Sequence, residues 1–226
     1  MDSFPSSEPL RPVTQSEIAS FASDGVVYLP NIVEKNWIEL LNSSLELMLK
    51  DSKMFADLTA LSSDLNKTQG LAAITENESK AGRFLSGVDH WKEDKNFAAF
   101  AKISPLPSIV AKLMNSKTVY LYEDSVLIKE PCTAEETAFH QDLGYFHLKG
   151  ENVCTVWAPL DHVDSETGSV VYLRSSHKNK KVFKPNWFVV NEPLPDVEGN
   201  DLPNIEIDDK RLDLVRFDTK PGDLVV

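Results

Sequence analysis

The residues best equipped for chemistry lie in one short stretch, Ala138-Phe139-His140-Gln141-Asp142-Leu143-Gly144-Tyr145-Phe146. Its centre is His-x-Asp, two metal-capable side chains one residue apart. On a β-strand, residues i and i+2 project to the same face. A strand here would aim the His140 imidazole and the Asp142 carboxylate at one point. Those are two corners of the 2-His-1-carboxylate triad that holds non-haem Fe(II) and leaves positions open for other ligands. The bare motif is weak evidence, because exposed His-x-Asp pairs arise often by chance. Its meaning depends on the elements that position it.

The chain has 226 residues, 42% of them hydrophobic and 26% charged, which fits one globular domain with a sizeable core. A formal charge of -12 argues against nucleic acid or an anionic membrane as partner. Cys132 and Cys154 stand in no metal-type spacing and form no disulfide framework, so a reducing compartment is expected. The first residues lack the basic and apolar regions of a signal peptide, and no run is long enough to span a bilayer. A cytoplasmic location follows as the expectation.

Residues 1–13 are rich in Ser and Pro and read as a flexible tail, followed by one domain over 14–226. Thr14-Gln15-Ser16-Glu17 is a capping box, and Asp24-Gly25 stops the helix it starts. Val26 to Leu29 reads as a strand, and Trp37, Leu40, Leu41, Leu45 and Met48 mark a second helix. Residues 51–82 carry no clear period. Arg83-Phe84-Leu85 reads as a short strand, and helical patches follow at 97–101 and 106–114.

From residue 118 the pattern changes. Strands are expected at 118–122, 125–129, 138–146, 153–158, 170–173 and 213–217, with a last one opening at Leu224. Residues 182–209 alternate Pro, Asn, Asp and apolar residues and read as a long irregular connection or lid. Helices first and strands after predict an α+β chain with a mostly β core.

Taken in order, these pieces resemble the phytanoyl-CoA dioxygenase family of Fe(II)/2-oxoglutarate-dependent oxygenases. The matching stretches begin with Phe21-Ala22-Ser23-Asp24-Gly25-Val26-Val27, Ile128-Lys129-Glu130-Pro131 and Phe139-His140-Gln141-Asp142-Leu143-Gly144-Tyr145-Phe146. They continue with Trp157-Ala158-Pro159-Leu160-Asp161-His162, Glu166-Thr167-Gly168-Ser169, Ser175-Ser176-His177-Lys178 and Pro221-Gly222-Asp223. Each is weak alone; their order is specific.

The resemblance implies a double-stranded β-helix, a jelly-roll barrel, with N-terminal flanking helices. It implies His140 and Asp142 as iron ligands and 2-oxoglutarate as cosubstrate, and it leaves ascorbate open as a further requirement. Trp157 matches a tryptophan of the cosubstrate region and is left between that wall and plain core packing. Lys129, Tyr120 and Arg83 are candidates to face the same pocket. The implied reaction consumes O2 and hydroxylates an unactivated C–H bond of a small or lipid-like substrate, giving succinate and CO2.

The family's third ligand, a histidine, and its 2-oxoglutarate-binding arginine fall on the pattern beyond Val226. The chain as written is therefore expected to be incomplete at its C-terminus. His177 is kept as an alternative third ligand, against its reading as a structural turn. A catalytically inactive barrel that binds a ligand or partner is the competing function. A cupin-type metal enzyme without 2-oxoglutarate ranks last, since it needs more histidines near His140.

Overall fold

The computed structural model describes residues 4–51, 53–61, 64, 82–133, 135–150 and 152–226. The first helix, α1 (Gln15–Asp24), starts where the capping box sets it. The Glu17 amide donates to the Thr14 hydroxyl at 3.2 Å, and the Thr14 amide donates back to the Glu17 carboxylate at 2.8 Å. Gly25 ends it at φ 73, and its amide donates to the Phe21 carbonyl.

The second helix, α2 (Lys35–Met48), buries Trp37, Ile38, Leu41 and Met48 at helical spacing. Three further helices, α3 (His90–Glu93), α4 (Lys95–Ile103) and α5 (Leu106–Leu113), complete the described helical layer. Asp94 caps α4 by accepting from the amides of Asn96 and Phe97. Pro105 opens α5, where its missing N–H costs nothing.

Seven short strands form three separate sheets among the described residues. β1 (Tyr28–Leu29) pairs antiparallel with β7 (Leu224–Val225). β2 (Ala56–Asp57), β3 (Phe84–Val88) and β4 (Ser125–Lys129) form a three-stranded sheet in that order. β5 (Val171–Leu173) pairs with β6 (Leu214–Arg216). β7 is flanked on its other side by Trp157, whose amide donates to the Val225 carbonyl at 2.7 Å.

The α+β expectation holds. These small sheets do not by themselves trace out a double-stranded β-helix, so the architecture directly visible is α+β. The core is also less β than expected: it joins Leu29, Ile32, Val33, Trp37, Phe97, Phe100, Ile109 and Leu224, drawn from helices, loops and the β1–β7 ladder. Residues 118–122 and 153–158 are β-type in composition yet form no strand beyond the bridge at Trp157. Composition records what a pleated surface would accept, and pairing partners decide whether one forms.

The stretch read as a flexible tail is likewise ordered from Phe4. The Phe4 ring stacks on Trp37 at 5.9 Å, and the Trp37 indole donates to the Ser6 carbonyl at 2.9 Å. Val13 is buried, and Arg11 pairs with Glu17 at 2.8 Å. A Ser/Pro-rich composition hid two apolar anchors, Phe4 and Val13. No helix among the described residues is long and apolar enough to cross a membrane.

Candidate metal centre

His140 and Asp142 do converge, but not from a strand. Residues 135–141 run without ladder pairing, Gln141 is extended at φ -115 and ψ 123, and a 3-10 turn spans Asp142–Gly144. The extended Gln141 keeps its two neighbours on one side, as in a strand. The turn then folds Asp142 back, and His140 Nε2 lies 3.2 Å from Asp142 Oδ1.

The outer atom of each side chain is also held. His140 Nδ1 lies 2.8 Å from the Ala138 carbonyl. A carbonyl can only accept, so Nδ1 carries the hydrogen and Nε2 is the atom turned toward Asp142. Asp142 Oδ2 accepts from the Thr155 hydroxyl at 2.6 Å. Burial disfavours charge on His140, yet the hydrogen bonds to Asp142 and Ala138 hold its pKa above the ordinary value. Burial likewise raises the Asp142 pKa, and the bonds from His140 and Thr155 outweigh it and leave the carboxyl below its usual range.

This arrangement fits a cation. With Nδ1 already committed, Nε2 and Oδ1 are two acceptors facing each other, and something positive must lie between them. Two donors on adjacent positions of one ion, each bonded at about 2.1 Å, sit about 3 Å apart, close to the separation here. The carbonyl behind the imidazole and the hydroxyl behind the carboxylate are the supports that metal ligands usually have. Among the described residues no third His, Cys, Asp or Glu joins them.

Aromatic rings close around His140. Tyr145 meets it edge-on at 5.6 Å, and Phe188 lies against it at 5.1 Å. Phe188 in turn stacks on the fully buried Phe84 at 6.2 Å. Tyr172 feels the Asp142 charge; burial first, and that carboxylate second, push its hydroxyl well up. Trp157 shares with Tyr172, Val163 and Phe217 a cavity with room for about one water molecule.

The other candidates separate. Lys129 projects its ammonium over the Phe84 ring at 4.6 Å, at the far end of the aromatic row from His140, and burial lowers its pKa. Arg83 lines neither of the two described cavities. Its side chain is 51% exposed, and its Nε donates to the Glu130 carboxylate at 3.0 Å, holding that group's pKa near about 2. Tyr120 stands 90% exposed, which removes it from the site. Its neighbour Tyr122 is the aromatic that reaches the segment after the Asp142–Gly144 turn, 5.2 Å from Phe146, with its hydroxyl accepting from the His147 amide.

His177 is corrected as a ligand. Its Nε2 lies 3.2 Å from the Ala22 carbonyl, and its ring covers Gly25 so closely that a Cβ there would stand 2.2 Å from Nδ1. It closes the end of α1. The larger described cleft, about 300 Å³ beside Ser16, Asp24 and Arg174, has neither His140 nor Asp142 in its wall.

Sequence reasoning missed Thr155, Phe188 and Asn186. Thr155 sits two residues before Trp157, so a register argument through that tryptophan would have reached it. Phe188 and Asn186 lie in the irregular 182–209 connection, where no period marks a residue.

A helix-flanked α+β chain with an imidazole and a carboxylate converging on one point defines a candidate non-haem metal protein. The chain belongs to the phytanoyl-CoA dioxygenase family, whose pattern it matches over residues 21–226. The family's cofactors are Fe(II) and 2-oxoglutarate. Among solved structures, it is similar to SnoK, described as a non-heme alpha ketoglutarate dependent carbocyclase from nogalamycin biosynthesis. The TM-score is 0.59 at 15% identity, over 94% of this chain and 73% of that one. It is also similar to the epimerase SnoN in complex with Fe3+, alpha ketoglutarate and nogalamycin RO. There the TM-score is 0.59 at 15% identity, over 93% and 72% of the two chains. At such identity the likeness speaks for the fold alone. No curated protein matches the chain.

Proposed function

We propose that the chain carries the iron site of a 2-oxoglutarate-dependent oxygenase, with His140 and Asp142 as protein ligands to the metal. The observation that supports this most is the 3.2 Å approach of His140 Nε2 to Asp142 Oδ1, each side chain held from behind. The jelly-roll barrel of the family is the architecture this reading assumes for the β half. When bound, iron with 2-oxoglutarate and O2 supplies the oxidising power for hydroxylating an unactivated C–H bond, with succinate and CO2 as co-products.

The protein's own residues orient and shield. Ala138 and Thr155 fix which atoms of the two ligands face inward. Phe188, Tyr145 and Phe84 keep water from the imidazole. Trp157, beside Tyr172, is our candidate wall for the cosubstrate. The substrate is a small or lipid-like molecule approaching past Tyr122 and Phe146. Epimerase and carbocyclase are the printed activities of the similar structures, so C–H hydroxylation is the specific part of this proposal.

The test is 2-oxoglutarate turnover. Purified chain, Fe(II), 2-oxoglutarate and O2 should yield succinate above a no-enzyme control, and His140→Ala and Asp142→Ala should abolish it. Succinate formation that survives both substitutions would refute the assignment. Absence of turnover together with tight ligand binding would favour the inactive-barrel reading.

A further inference from the structure

The connection over 182–189 lies across the metal turn and is bonded to it along its length. Gln141 Nε2 donates to the Lys181 carbonyl at 3.0 Å, and the Phe183 amide donates to Gln141 Oε1 at 2.9 Å. The Phe183 carbonyl approaches Gly144 so closely that a Cβ there would stand 2.5 Å from it. The Ala138 amide donates to the Phe188 carbonyl at 2.8 Å.

At the middle of this strap sits Asn186, which is only 4% exposed. Its Nδ2 donates to the Phe139 carbonyl at 2.8 Å, on the peptide that leads into His140. Its Oδ1 accepts from the Tyr145 hydroxyl at 2.7 Å and from the Phe188 amide at 2.9 Å. The Tyr145 hydroxyl is also placed between the Asn186 carbonyl and amide, at 2.9 and 3.1 Å. The amide cannot be reversed, since a flip would set NH2 against the Phe188 N–H and oxygen against the Phe139 carbonyl.

The three groups held by this one side chain surround His140. Phe139 precedes it in the chain, Tyr145 meets its edge and Phe188 lies on its face. Phe188 has φ 69, a conformation bulky residues rarely adopt. Such strain persists only where neighbours over-determine it, and it concentrates at working sites. The bond from the Phe188 amide to Asn186 is one such restraint.

We infer that Asn186 is a positioning residue that fixes the His140 imidazole, acting through Phe139, Tyr145 and Phe188 rather than touching metal or substrate. The inference rests on the reading of His140 as a ligand, and it adds a buried amide in the strap to the site.

The test compares wild type with Asn186→Leu, which keeps the branched skeleton and removes every side-chain bond, and Asn186→Asp, which keeps the acceptor and loses the donor. Two readouts are taken on folded protein. The first is the ¹⁵N NMR of His140 in the metal-free chain, which reports how the two ring nitrogens are protonated and hydrogen-bonded. The second is the affinity for Fe(II) alone, measured without oxygen. Wild type should show one ordered His140 state with Nδ1 bonded to Ala138. Asn186→Leu should disperse that signal and weaken Fe(II) by about tenfold or more, the usual cost of removing a support behind a metal ligand. Asn186→Asp should fall between.

A merely structural role would lower the melting temperature and leave both readouts at wild-type values, and that result would overturn the inference. If Asn186→Leu does not fold, Asn186→Asp decides on the same criteria. If wild type binds no Fe(II), the functional reading fails, and the metal-free His140 spectra still decide the role of Asn186.

Discussion

The hydroxyl of Thr155 donates to Oδ2 of Asp142 at 2.6 Å, while Oδ1 of the same carboxylate faces His140 at 3.2 Å. One oxygen is tethered so that the other is presented. Thr155→Val should therefore weaken Fe(II) binding by about tenfold. Thr155 is exposed, so thermal stability should scarcely move. An anaerobic Fe(II) titration beside a melting curve checks both halves.

Asp223 is 1% exposed and accepts from three donors: the Tyr28 hydroxyl at 2.7 Å, the Asn31 amide at 2.7 Å and the Lys220 amide at 3.0 Å. It ties the turn before β7 to the end of β1. Asp223→Ala leaves these donors without their acceptor and should cost about 3 kcal/mol, read from urea unfolding.

The same contact sets an alkaline limit. Burial first, then the bond and charge of Asp223, push the Tyr28 hydroxyl up to about 12. A group whose pKa is raised on folding stabilises fully below its unfolded value, about 10 here, and that contribution is lost as pH climbs through the folded value. Wild type should thus lose up to about 3 kcal/mol between pH 10 and 12 that Tyr28→Phe does not lose. Parallel unfolding curves at pH 9 and 11.5 would show it as a difference between the two proteins.

Trp37 is fully buried between Phe4 and Phe100, each 5.9 Å from its ring. Trp37→Ala should cost about 3–5 kcal/mol. Removing residues 1–13 should itself cost about 2 kcal/mol or more, from the lost packing of Phe4 and Val13. A free tail would be removable without effect, and equal unfolding midpoints would restore that view.

What the sequence made legible follows how local the signal is. The α1 boundaries follow from Thr14, Glu17 and Gly25, whose capping chemistry acts within a few residues. The buried face of α2 follows from the spacing of Trp37, Leu41 and Met48. The pairing of His140 with Asp142 was readable because Gln141 keeps them on one side in any extended conformation, strand or not. The supports were not readable. Thr155 is 13 residues from Asp142, and Asn186 is 46 from His140. Thr155 acts through one hydrogen bond and Asn186 through three, and none of them leaves a periodic trace. Arg83 pairs with Glu130 and Tyr120 stands in solvent, and no local signal in the sequence separates them from pocket-facing residues.

The most direct test is a titration of Fe(II) and 2-oxoglutarate into the chain without oxygen, watched for the visible charge-transfer band of a chelated iron complex. The account predicts a saturable band that disappears in His140→Ala and in Asp142→Ala while both variants remain folded. No band in wild type, or a band of unchanged intensity in His140→Ala, would contradict it.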